Sequence, residues 1–174
     1  ENFLNFHRTY YHPSNSYIYL YGNMDMEEKL AFLDEHYLSH FDYLDVDSVI
    51  QEQKAFGACQ DVTLEYPVAE NEGEEDNTYL SYNMVVGNAA DSQMAMAFEV
   101  LDYALLSAPG APLKQALLDV KAGKDVYGSY DDGILQPYFT VIAKGSNPDR
   151  KEEFVSVIRQ VLGDIVKNGI DRKA

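Results

Sequence analysis

A chain of 174 residues has room for one well-buried core and at most two small ones, and its 46% apolar and 24% charged content is that of a globular protein, not a disordered one. The formal charge is −16, with 17 acids and 3 bases in residues 1–90 and 12 acids and 10 bases in residues 91–174, a field that repels phosphate backbones and disfavours nucleic acid as a partner. No apolar run approaches the roughly 20 residues of a membrane helix, the first ten residues lack the apolar core of a signal peptide, and the single Cys59 excludes an internal disulfide and fits a reducing, cytoplasmic setting.

The first regular segment expected is a strand at Ser16–Tyr21, where Tyr17, Tyr19 and Tyr21 alternate with Ser16, Ile18 and Leu20. Both sets are largely apolar, which predicts a central strand covered on both faces. Gly22-Asn23 breaks it. Asp25, with Glu28 three residues on, then reads as the cap of a helix over about Met26–Phe41. Leu30, Phe32, Leu33, Tyr37 and Phe41 lie broadly on one side of that helix. Residues 42–60 read as an irregular connection. A second strand is expected at Asp61–Val68, with Val62, Leu64 and Tyr66 facing one way and Thr63 and Glu65 the other. AENEGEEDN, Ala69 to Asn77, has five acids in nine residues and reads as a solvated loop. Strand pattern resumes at Tyr79–Val86, so 61–86 is expected to form a hairpin with a long charged tip.

Asp91–Ser107 is expected to be helical, because Met94, Ala97, Phe98, Leu101 and Leu105 recur at helical spacing. SAPGAP ends that helix, and Pro112 suits the first turn of the next. Leu113, Ala116, Leu117 and Val120 form its apolar face and Gly123 its stop. A short strand at Asp125–Tyr130, a turn at 131–133 and a strand at Gln136–Lys144 predict a second hairpin. Asn147-Pro148 opens the last helix, whose stripe is Phe154, Val157, Ile158, Val161 and Ile165 and whose stop is Gly169. The order β-α-β-β-α-α-β-β-α predicts one α+β domain over residues 1–174, with a mostly antiparallel sheet and helices packed on one face.

Residues that could carry chemistry are few. His36 and His40 stand four apart, a spacing that lets two rings reach one metal. No third ligand is set by spacing, so they read as helix-flank residues packing on aromatics. FLDEH, Phe32 to His36, matches the inverted zinc motif H-x-x-E-H at its last two positions but has Phe in place of the first His. Cys59 has no histidine placed near it, and Gly22, Gly57 and Gly87 are isolated glycines outside any phosphate-binding pattern. No catalytic, cofactor-binding or metal residue is therefore assigned. The acids either keep the protein soluble or draw in basic peptides; both readings stand.

One stretch carries ancestry. YYHPSNSYIYLYGNMDMEEKLAFLDEHYLSHF resembles the start of the non-catalytic domain of the insulinase/pitrilysin family of zinc metallopeptidases. The positions that match are the aromatic pair Tyr10 and Tyr11, then His12, Pro13, Ser14 and Asn15, then Gly22, Asp25 and Phe41. YHPSN and LYGNMD look most like the presequence-protease branch. Downstream, APGAPLKQALLD and GKDVYGSYDDGILQPYFTVIAKGSNP resemble that branch's second helix pair and last hairpin, including Gln136, Pro137 and Phe139. The likeness touches most of residues 6–168 and is weakest between Asp42 and Asn77.

The resemblance implies a parent enzyme in which two halves, each of two similar α+β domains, enclose a chamber where short unfolded peptides are cut. Its zinc ligands and general-base Glu come from an H-x-x-E-H motif and a distant Glu in the first domain, positions this chain does not contain. By the resemblance the chain is the second, chamber-wall domain, its partners being sister domains of the same polypeptide and peptide substrates, its cofactor none of its own but zinc in the parent. The absence of an initiator Met agrees with an excised piece. A stand-alone acidic binding or scaffold module of the same fold is the alternative.

Overall fold

The computed structural model describes residues 1–69 and 73–170, in two units, Glu1–Gln51 and Glu52–Ala174. Three residues of the acidic loop, 70–72, lie outside the described residues.

The first unit contains helix α1 (Asn2–Tyr10), a 3-10 turn (Pro13–Asn15), helix α2 (Met26–His36) and a second 3-10 turn (Leu38–His40). Its best-organised part is the His-Pro-Ser-Asn knot. Pro13 fixes a backbone angle at the start of the turn, and the His12 ring nitrogen Nδ1 accepts the Ser14 N–H at 3.2 Å. Asn15 donates from Nδ2 to the Tyr10 carbonyl at 2.9 Å, and its Oδ1 accepts the Ser48 hydroxyl at 2.6 Å. Ser14 accepts the Leu44 N–H at 3.1 Å, so the knot ties the irregular 42–48 segment to the chain before α2. Asp25 caps α2 as expected, its Oδ1 accepting the Glu28 N–H at 3.0 Å. Glu28 pairs with Lys29 at 2.9 Å.

The second unit holds the core. Strand β1 (Thr78–Val85) leads to α3 (Ser92–Asp102), a π turn (Tyr103–Ser107) and α4 (Pro112–Asp119). Strands β2 (Asp125–Asp131) and β3 (Tyr138–Ser146) follow, then a 3-10 turn (Pro148–Arg150) and α5 (Lys151–Asn168). The sheet is antiparallel with order β1-β3-β2. The register sets Leu80 against Ala143 and Val126 against the same residue from the other side. These residues, with Phe139 and Val141, meet Leu105, Leu106, Leu113, Leu117, Phe154 and Ile158 in one buried cluster. The helices thus cover one sheet face, and the class is α+β.

Several expected stops and stripes hold. The Gly169 N–H donates to the Ile165 carbonyl at 2.8 Å with φ of +78°, a left-handed stop for α5. Leu113 and Leu117 anchor α4, and Phe154 and Ile158 anchor α5. The α4 helix ends at Asp119, earlier than Gly123, because Lys121 takes a left-handed conformation and Ala122 N–H returns to the Leu117 carbonyl at 3.0 Å. Helix α3 is followed by a wider π turn, with Ala108 N–H reaching the Tyr103 carbonyl at 2.8 Å. That turn carries Leu105 and Leu106 into the core. Met94, expected on the core face, stays exposed.

Two expected strands do not form. Ser16–Tyr21 has no ladder partner among the described residues, and Tyr17, Tyr19 and Tyr21 are exposed. Asp61–Val68 likewise lacks strand pairing, so the hairpin over 61–86 is absent and β1 pairs with β3. Alternation states which side of a strand would be apolar; it does not bring a second edge into hydrogen-bonding reach. The acid-rich tip between 61–68 and β1 adds like-charge repulsion to the cost of closing that hairpin. Helix α1, for which no element was expected, has Phe6 and Tyr10 one turn apart with ring centroids at 4.8 Å.

Candidate functional site

The face of the sheet opposite the helices is the surface with most chemical character. Along β1 it carries Tyr79, Ser81, Asn83 and Val85; the residues paired with them on β3 are Lys144, Ile142, Thr140 and Tyr138. On β2 the same face carries Asp125, Tyr127, Ser129 and Asp131. Strand alternation alone puts hydroxyls, one amide and five aromatic or aliphatic side chains here.

These groups are wired to one another. Thr140 donates its hydroxyl to Asn83 Oδ1 at 2.9 Å, and the Ser81 hydroxyl reaches the same oxygen at 3.1 Å. Tyr138 donates to Asp131 Oδ2 at 3.0 Å. That bond and the Asp131 charge hold the Tyr138 hydroxyl above its ordinary pKa, so it stays protonated and a donor at neutral pH. The Lys144 ammonium sits 5.8 Å from the centre of the Tyr79 ring. Next to it, Tyr66, Asp76, Tyr79, Lys144 and Gly145 line a cavity of about 310 Å³. Asp76 and Asn147 exchange two hydrogen bonds, at 2.9 and 2.8 Å. With Lys124 at 3.3 Å, they lower the Asp76 pKa, stabilisation present above the usual carboxylate range and lost as pH falls through the lowered value.

Such a face can hold peptide groups by hydrogen bonding and stacking, but it has no nucleophile paired with a base. Among the described residues, no group of three or more His, Cys, Asp or Glu is arranged to hold a metal ion. His36 is the last residue of α2 and packs on Phe32, centroids 4.6 Å apart. Tyr37 then leaves helical geometry, so His40 belongs to a separate 3-10 turn and the one-turn spacing no longer aligns the two rings. His12 meets Phe41 edge-on at 5.3 Å. Cys59 is exposed. Gln136, matched by the resemblance, accepts the Gln53 N–H at 2.6 Å and returns a bond to its carbonyl.

Two features escaped the sequence reading. Asp102, the last residue of α3, has an inaccessible Oδ1 with no hydrogen-bond partner among the described residues. Burial raises its pKa above the ordinary carboxylate value, so folding shifts it toward the protonated form. The stability tied to that proton is present at acid pH and declines as pH rises from the unfolded value through the raised folded one. Asp102→Asn is therefore expected to raise the melting temperature at pH 7 and to flatten its fall from pH 4 to pH 7. Thermal melts across that range check this; parallel curves for variant and parent sequence would refute it. The second feature is the outer side of α3 and the first residue of the π turn, where Met96, Val100 and Tyr103 recur at i, i+4 and i+7 and are all exposed. Helical spacing on an element already expected from its other face was the available signal.

Comparison with known proteins settles the ancestry. A family profile described as the peptidase M16 inactive domain matches residues 1–174. The chain belongs to the peptidase M16 inactive-domain family. Protein HypA of Clostridium perfringens is 45% identical over 99% of this chain and 18% of that protein. Presequence protease 1 of Arabidopsis thaliana, a chloroplastic and mitochondrial protein by name, is 31% identical over 100% of this chain and 16% of its own length. The mitochondrial presequence protease of Xenopus laevis is 27% identical over 98% of the chain and 17% of its own length. The M16 chain thus spans less than a fifth of these curated relatives. No helix among the described residues is long and apolar enough to cross a membrane.

Proposed function

We propose that this M16 inactive domain, taken as one domain over residues 1–174, forms part of the chamber wall of a zinc-dependent metalloendopeptidase that degrades short unfolded peptides. The observation that carries the reading is the inactive-domain match along all 174 residues, joined to presequence-protease relatives that align with it end to end. Zinc does not fit the described residues of this chain: His36 is packed on Phe32, and His40 falls on a separate turn. No step of hydrolysis and no catalytic or metal residue is assigned to it; the zinc centre is placed in an upstream domain of the parent. Its partners are sister domains of that polypeptide and peptide substrates, with no nucleic acid or membrane among them. The imbalance of 17 acids to 3 bases in residues 1–90 favours basic peptides by long-range attraction. Cys59, single and exposed, supports a reducing cytoplasmic location.

The test is a peptidase assay with zinc on this chain beside its parent polypeptide. The chain is expected to be inactive, and the parent active, chelator-sensitive and slower on basic peptides as salt rises. Hydrolysis by the 174 residues alone would overturn the assignment.

A further inference from the structure

Helix α3 buries one side and leaves the other apolar. Its inner side is spent on the sheet: the Phe98 ring stacks on Tyr130 with centroids 5.5 Å apart and lies 6.1 Å from Phe139. On the outer side Met96, Val100 and Tyr103 are 62%, 60% and 61% exposed, in one continuous stripe beside the exposed Glu99. Large apolar groups stacked at one-turn spacing away from the core mark a contact surface.

Charge says what kind of surface fits it. Between Lys54 and Lys114 the sequence has ten acids and no Lys or Arg, so the stripe lies in a stretch without a single fixed positive charge. Burial, and after it the charges of Asp132, Glu99 and Asp91, raise the pKa of Tyr130, which stacks on Phe98 at the inner side of the same helix. A second copy would bring acid against acid in a chain of net charge −16. An apolar surface bordered by Lys or Arg would cover the three side chains and neutralise Glu99.

We propose that the Met96–Val100–Tyr103 stripe is a permanent intramolecular docking face, covered by a Lys/Arg-bordered apolar surface elsewhere in the parent polypeptide. This rests on the reading of the chain as one domain of a larger protein, of which it spans less than a fifth in the relatives. A lasting cover removes Met96 and Val100 from water at all times, which a substrate bound only during turnover does not.

The experiment uses the full parent in a Cys59→Ser background, with Met96→Cys or, as an exposed reference on α5, Val166→Cys. Maleimide labelling is followed by mass at each position. Position 96 is expected to label roughly tenfold slower than position 166 in the native parent and equally fast in denaturant. Glu99→Lys, which sets like charge against the basic border, is expected to speed labelling at position 96 severalfold. Should a variant not fold, peroxide oxidation of Met96 in the unsubstituted parent, native against denatured, reads the same protection. Equal native rates overturn the proposal. So does protection that appears only on adding a basic peptide, or only at high protein concentration. Hydrolysis is assayed on the same samples: protection at position 96 in a parent without peptidase activity would sink the chamber-wall reading and leave this one standing.

Discussion

Phe154→Ala is expected to destabilise the second unit by about 3–5 kcal/mol, with a fall in melting temperature of more than ~10 °C. Phe154 is 1% exposed and sits on the first full turn of α5, where it meets the sheet and α4 within the buried cluster. Truncation removes the ring from that cluster and leaves a void that the neighbouring strand and helix close only in part. Phe154→Leu keeps most of the volume and is expected to cost about 1.5 kcal/mol or less. Denaturant unfolding with a constant slope would establish that the change is in stability and not in the unfolded state. A Phe154→Ala loss below about 1 kcal/mol would mean that α5 does not close this core.

A larger residue at Gly128 acts by the opposite mechanism. A Cβ there would stand 2.2 Å from Leu106 Cδ1, 2.7 Å from the Thr140 carbonyl oxygen and 3.1 Å from Asp102 Oδ1. The carbonyl belongs to the paired strand β3, and Leu106 is held in the core by the π turn, so neither can step aside alone. Gly128→Ala is expected to cost about 2–3 kcal/mol through overpacking. Gly163 supplies the contrast: it lies within α5 and a Cβ there meets nothing within 4 Å. Gly163→Ala is expected to stabilise by up to about 1 kcal/mol through helix propensity. Melting curves of the two variants should therefore move in opposite directions; a neutral Gly128→Ala would show that the α3–β2 approach is looser than these distances.

Family and class were legible in the residues themselves. The Asp25 cap, the stripes of α4 and α5 and the 125–146 hairpin are local patterns, and each forms close to where it was expected. Local patterns are readable because their partners lie within a few residues: a cap needs the N–H three positions on, and a helical stripe needs only its own turns. Strand pairing is different in kind. Ser16–Tyr21 and Asp61–Val68 alternate as well as β1 does, yet of the three only β1 has a neighbour, because pairing depends on which segment lies alongside β3 in the folded chain. The same holds for single atoms. Nothing in DYALLS distinguishes Asp102 from a solvated helix acid until the π turn seats Leu106 beside Gly128 and closes off one carboxylate oxygen. Composition and local spacing thus determined the α+β class and the helix faces, while the ancestry came from the resemblance of particular residues, Tyr10 to Asn15 above all. The tertiary structure alone decided which strand edges are paired, which carboxylate is buried and which side of α3 remains uncovered, since each depends on groups far apart in sequence meeting at short range.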